Sequence, residues 1–244
     1  MVSSRVNAIS ESSTIKLLNK ENELRKKGEN IISFSIGEPD FTTPRNIIDF
    51  AYKSMLEGKT HYTPSSGIPM LREKIAEKYS KRYSIDLNST NVLVTPTKFA
   101  LFISMFSLVD EGDEVLLPDP GWVSYSEMVK MAGGTPKFYS LKENDGFSID
   151  QEDLKNKINE KTRVILINTP SNPTGTIIKK EDMDFLKDIV MERNVYIISD
   201  EIYDKLVYDG NFVSVLTYPE IFHKMLFVNG FSTSHALTGW RIGY

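Results

Sequence analysis

From about residue 91 the chain alternates short, continuous apolar runs with amphipathic stretches, and this pattern restricts its fold more than any other feature. The runs are VLV (92–94), EVLLP (114–118), KFYSL (137–141), RVILIN (163–168), VYIISD (195–200) and MLFVNG (225–230). Between them Lys98–Val109, Trp122–Met131, Gln151–Ile158 and Lys180–Glu192 read as helices. A strand without polar alternation must bury both faces, which happens when crossover helices cover both sides of a mostly parallel sheet. The expected fold class is therefore α/β, a mostly parallel sheet with helices on both faces. The closing RIGY (241–244) is strand-like and is expected to add an edge strand. Upstream, helices are predicted over Glu11–Lys27, ended by Gly28, over Arg45–Glu57, and over Ile68–Tyr83 with Leu71, Ile75 and Tyr79 on one face. The apolar run IISFSI (31–36) leads into the breaker-rich segment Gly37–Pro44.

Composition removes several kinds of chemistry. The 244 residues contain no Cys, which excludes disulfides, iron–sulfur clusters, zinc–thiolate sites and Cys nucleophiles, and fits a reducing cytoplasm. With 29 Lys+Arg against 33 Asp+Glu the net charge is −4, so no basic face for nucleic acid is expected. No apolar run is long enough to span a membrane, and no secretory leader is visible. The three His residues, at 61, 223 and 235, lack metal-ligand spacing, and no metal site is expected. Neither standard phosphate-binding glycine loop is present. Gly230-Phe-Ser232-Thr-Ser234 resembles a hydrolase nucleophile elbow but lacks its last Gly.

In a parallel α/β sheet, ligands bind beyond the carboxyl ends of the strands. Five motifs fall there: Thr95-Pro96-Thr97, Asp119-Pro120-Gly121-Trp122, Thr169–Gly175 with Asn172, Asp200-Glu-Ile-Tyr203, and Phe231-Ser232. Each alone is a serviceable turn or cap. Together they describe a ligand. The helix start at Thr97 offers backbone N–H groups to a phosphate, Ser232 a hydroxyl, and Arg241 a two-pronged positive charge. Trp122 presents a flat face to a ring. Asp200 can pair with a protonated ring nitrogen, and Asn172 and Tyr203 can hydrogen-bond a phenolic oxygen. A phosphorylated, hydroxylated pyridine is pyridoxal 5′-phosphate, whose protonated ring acts as an electron sink.

At these residues the sequence resembles the fold-type I pyridoxal-phosphate aminotransferases of class I/II, the group that includes the aspartate aminotransferases. The matching segments run in family order along nearly the whole chain: SIGEPDF (35–41), HYTPSSGIPMLREKIAEKY (61–79), EGDEVLLPDPGWVSY (111–125), NTPSNPTGT (168–176), SDEIYDKLVYDG (199–210) and TGWRIGY (238–244). The resemblance implies that Trp122 stacks on the cofactor ring, that Asp200 pairs with its nitrogen, and that Asn172 and Tyr203 contact its hydroxyl oxygen. It implies phosphate contacts from Thr97, Ser232 and Arg241, with Tyr62 reaching the cofactor of the neighbouring subunit, hence a homodimer. Gly37 would lie where the backbone meets the substrate carboxylate. It also implies an N-terminal arm or small-domain segment over 1–44 and a cofactor-binding large domain over 45–244. The expected substrates are an amino acid, aspartate among the candidates, and a 2-oxo acid.

Three departures from the family pattern shape the functional expectation. The family's Schiff-base lysine precedes the phosphate Arg by eight positions, and that position here is Thr233. Threonine has no basic nitrogen to bond the cofactor or move a proton. The nearest upstream lysine, Lys224, begins a predicted strand and should lie at its opposite end. Secondly, the phosphate turn is one residue shorter and lacks its Gly; Lys98 is a candidate to compensate. Thirdly, members of the family continue past the position of Tyr244 into a C-terminal small domain, absent from this sequence, that carries a substrate-binding Arg. The sequence thus reads as an aminotransferase by descent with little or no transamination of its own, any pyridoxal 5′-phosphate being held non-covalently. The alternative is a non-catalytic cofactor- or partner-binding remnant, or the N-terminal half of a split aminotransferase.

Overall fold

A computed structural model describes residues 2–7, 9–10, 13–34 and 37–244. Glu11 and Ser12, at the expected start of the first long helix, and Ser35 and Ile36, at the end of IISFSI and the start of SIGEPDF, lie outside the described residues. The helices are α1 (Ser4–Asn7), α2 (Ser13–Lys26), α3 (Arg45–Leu56), α4 (Pro69–Tyr83), α5 (Thr97–Leu108), α6 (Ser124–Ala132), α7 (Gln151–Lys157) and α8 (Lys180–Glu192). The strands are β1 (Glu114–Asp119), β2 (Thr135–Lys142), β3 (Ser148–Ile149), β4 (Thr162–Asn168), β5 (Tyr196–Asp200) and β6 (Met225–Val228). Their order across the sheet is β3-β2-β1-β4-β5-β6, with every pairing parallel except that of β2 with β3.

The continuous apolar runs behave as their composition requires. Val164, Leu166 and Ile198 turn to one face of the sheet, where they pack with Leu101 and Met105 of α5 and Val129 of α6. Ile165, Ile167 and Ile197 turn to the other, against Met183, Leu186 and Val190 of α8 and Tyr79 of α4. Residues Leu116, Leu166 and Ile198 are wholly buried. β2, nearer the edge, alternates instead: Tyr139 is buried and its neighbours are exposed. The apolar spacing of α8 (Met183, Leu186, Ile189, Val190) is the face it buries. By contrast α3 buries no residue at all.

Two expectations need correction. VLV (92–94) is not a strand; only Thr95 makes an isolated bridge, to Gly243. RIGY is not an edge strand either. Gly243 is bridged antiparallel to Thr95 on one side and Gly230 on the other, so this segment enters between β6 and residues 92–95. Its pairing covers one end of that gap only, which leaves VLV without the partner that would make it a strand. Among the described residues no helix is long and apolar enough to cross a membrane.

Candidate functional site

The chain builds β1, steps outward to β2 and β3, then returns to lay β4 on the other side of β1. Where strand order reverses, adjacent connections leave in opposite directions and open a crevice beyond the carboxyl ends. Trp122 follows β1 there, Asn168 ends β4, and Asp200 ends β5 in register with Asn168.

Asp200 is the centre of the arrangement. It is 4% exposed, and its carboxylate takes the Tyr125 hydroxyl at 2.7 Å and the Ile202 N–H at 3.3 Å. Both donors are neutral, and among the described residues no cation pairs with it. Burial, offset in part by these hydrogen bonds, pushes the carboxyl up to about 6. A buried carboxylate lacking a cation is what a protonated ring nitrogen requires. Tyr125 in turn meets Trp122 edge to face, with ring centroids 5.2 Å apart. The Lys98 ammonium lies 4.7 Å from the Trp122 ring centre, and burial followed by the charge of Arg241 lowers its pKa. Arg241 itself is held in the left-handed region (φ 57) and donates to the Thr238 carbonyl at 2.8 Å.

Asn168 braces the rim from below, its amide donating to the Asp200 carbonyl at 2.9 Å while its oxygen accepts the Asn172 N–H at 2.7 Å. The Asn172 side chain hydrogen-bonds Tyr203, opposing the burial that raises the Tyr203 hydroxyl. Residues 122, 172, 200 and 203 are thereby linked through Tyr125 and Asn168. Neither linker was assigned a role from the sequence. The one available signal for Tyr125 was its place three residues after Trp122, in the stretch expected to be a helix.

A second polar cluster is organised around Thr97. Pro96 caps α5 without a side-chain hydrogen bond; the Phe99 N–H already donates to the Pro96 carbonyl at 2.8 Å, which leaves those of Thr97 and Lys98 without a side-chain cap. Thr97 donates to the Asn229 carbonyl at 3.3 Å. Gly230 and Gly243 close on it from two sides, and a Cβ at Gly243 would stand 2.7 Å from the Thr97 nitrogen. Ser232, half-buried, follows Gly230 in the same loop. The arrangement suits an anion even though the turn lacks the usual glycine.

The remaining predicted residues stand differently. Thr233 donates its hydroxyl to the Ile202 carbonyl at 2.7 Å and offers no amine. Lys224 donates to the carbonyls of Val190, in the last turn of α8, and Arg193, just past it, at the far end of β6 from the rim. Tyr62 is fully exposed and is not joined to the rim residues. Gly37 is exposed, with nothing within 4 Å of where a Cβ would be. The segment after it is tied to the loop before Arg241: Thr238 donates to Glu38 at 3.0 Å and Trp240 to Thr43 at 3.0 Å. In the elbow-like stretch, His235 pairs with Ser234 at 2.7 Å, not with Ser232, which removes the serine-hydrolase arrangement. Among the described residues no cluster of potential metal ligands occurs.

A family model described as aminotransferase class I and II matches residues 29–244. The aspartate aminotransferase of Bacillus subtilis is 44% identical over 243 residues, covering 98% of this chain and 62% of its own length. A probable aspartate/prephenate aminotransferase of Aquifex aeolicus is 43% identical over 246 residues. The crystal structure of the Thermotoga maritima aspartate aminotransferase superposes with a TM-score of 0.95 at 41% identity, over 99% of this chain and 65% of that one. The Thermus thermophilus enzyme with maleate gives 0.95 at 38%. The chain spans about 62% of the length of the curated relatives it matches.

Proposed function

The chain belongs to the class I and II aminotransferases, and from that premise we propose that it carries the cofactor half of a transamination site which binds pyridoxal 5′-phosphate without a covalent bond. The reaction for which the site is shaped is transfer of an amino group from an amino acid, aspartate by analogy with the named relatives, to a 2-oxo acid. In the same proposal residues 45–244 form the cofactor domain, 1–44 an arm or small-domain segment, the assembly is a homodimer, and the setting is cytoplasmic.

The observation that carries this reading is the buried Asp200 carboxylate, which has only neutral donors. Pyridoxal 5′-phosphate, when bound, supplies a cationic ring that accepts electrons released beside a substrate nitrogen. Asp200 would hold the proton on the ring nitrogen. Trp122 would give the ring a flat, water-excluding wall, with Lys98 displaced from that face or turned toward an anionic group. Asn172 and Tyr203 would orient the ring through its hydroxyl oxygen. Thr97, Ser232 and Arg241 would fix the phosphate, which sets the ring's angle at the rim. Tyr62 and Gly37 belong to the proposal through a neighbouring subunit and the substrate carboxylate respectively. Thr233 supplies neither a covalent anchor nor a base, so proton movement at the substrate carbon has no agent at that position.

A second reading, a binding remnant or one half of a split enzyme, is favoured by the same threonine. Titration with pyridoxal 5′-phosphate followed by absorbance, then borohydride reduction and intact-mass measurement, tests the first. Saturable binding with an unchanged protein mass supports it. No binding, or a lysine carrying the reduced cofactor, contradicts it.

A further inference from the structure

Two residues other than glycine hold left-handed backbone in the turn that leads into Arg241: Ala236 (φ 52) and Arg241 itself (φ 57). L side chains adopt that region rarely, and it persists where surrounding contacts fix it. Part of the fixing is local. Leu237 is buried and its N–H donates to the Ser232 carbonyl at 3.0 Å, while the Trp240 N–H donates to the Leu237 carbonyl at 3.1 Å. These bonds shape the turn between the two strained residues.

The ends of the turn are held from far away in the chain. The Thr43 hydroxyl donates to the Ala236 carbonyl at 2.7 Å and accepts the Trp240 indole N–H at 3.0 Å, across separations of 193 and 197 residues. One oxygen thus clasps the first left-handed residue directly and the second through the residue before it. A hydroxyl can donate and accept at the same atom, which a methyl group of the same size cannot. Thr43 is itself well anchored. It is half-buried, and it precedes Pro44, which confines it to extended backbone and whose carbonyl accepts the N–H groups of Ile47 and Ile48 at the start of α3. The other tie between the two segments, from Thr238 to Glu38, is exposed.

The conformation of this turn decides where the Arg241 guanidinium stands. It folds back to donate to the Thr238 carbonyl, close enough to the start of α5 that its charge, after burial, is what lowers the Lys98 pKa. Beyond Arg241 the chain is pinned at Gly243 by bridges to Thr95 and Gly230. A change of φ at residue 241 therefore has to move the turn before it, and the guanidinium with it.

We propose that Thr43 is a positioning residue for the anion-binding group of the rim: its hydroxyl fixes residues 236–241 in the strained turn that aims Arg241 at the phosphate of pyridoxal 5′-phosphate. This rests on the reading that the cofactor binds here, and the test separates the two. T43V removes the hydroxyl at nearly constant shape, and T43S keeps it. Backbone chemical shifts of Ala236 and Arg241 are recorded on the full chain without ligand. Pyridoxal 5′-phosphate and pyridoxal, which lacks the phosphate, are then titrated by absorbance.

Expected are left-handed shifts at both residues in the unaltered chain and in T43S, and their loss in T43V. T43V should weaken pyridoxal 5′-phosphate binding about tenfold, the scale of one or two hydrogen bonds, and leave pyridoxal binding unchanged. A merely structural role would weaken both ligands or neither. In R241A, adding T43V should cost nothing further, because the group it positions is gone. The proposal is overturned if T43V keeps the left-handed shifts, weakens both ligands alike or adds to R241A, or if T43S behaves as T43V does. Should the unaltered chain bind neither ligand, the cofactor reading falls and the shifts alone decide: their loss in T43V supports the positioning role, and their retention overturns it.

Discussion

Tyr125 and Asp200 show how much of the site rests on single side chains. The phenol gives the buried carboxylate its shortest hydrogen bond. Y125F removes a donor to a buried anion and should cost about 1–3 kcal/mol in denaturant unfolding at neutral pH, with a smaller loss in acid where Asp200 is neutral. D200A should weaken pyridoxal 5′-phosphate binding on the order of 30–100-fold by absorbance titration, the worth of one charge-assisted hydrogen bond. Glu201 adds a pH response. Burial raises its carboxyl from an ordinary 4.5 to about 7, against hydrogen bonding from Ser214, the Val215 N–H and Ser199. Because the folded chain holds this proton more tightly than the unfolded chain, stability falls as pH rises from about 4.5 to 7 and the loss is complete above. E201Q should flatten that fall, read as urea midpoints across the interval; an unchanged slope would contradict the assignment.

At the level of elements, the continuous apolar runs were legible because a strand buried on both faces has no room for alternation. Three of the six runs became inner strands for that reason, and the helix over Lys180–Glu192 kept its bounds. VLV and RIGY were misjudged because pairing, not composition, decides whether a short run becomes a strand, and a partner's position is not written in the run itself. Trp122, Asn172, Asp200 and Tyr203 were legible through their place after strands, whereas Thr97 was placed there after VLV, which is not a strand. Tyr125 and Asn168 were not legible, since their function is to hold other side chains. The close contact of Thr97 with Gly230 and Gly243 makes its own prediction. G243A places a methyl group against the Thr97 backbone and should cost about 1–3 kcal/mol and loosen the start of α5, visible as faster amide exchange at Ala100.

Across the whole molecule, both faces of the sheet are packed while α3, Phe34, Phe41 and the Phe99–Phe106 side of α5 leave large apolar side chains at the surface. Large apolar side chains left at the surface are candidates for contact with other protein. The rim, by contrast, is already assembled from four strand ends and the start of α5. The central claim is that Asp200 keeps a bound pyridine protonated there. The direct measurement is the ¹⁵N chemical shift of ring-labelled pyridoxal 5′-phosphate on the protein in mildly alkaline solution. A protonated nitrogen is expected on the unaltered chain and a deprotonated one on D200N. A deprotonated nitrogen on the unaltered chain, or a protonated one on both, would contradict it.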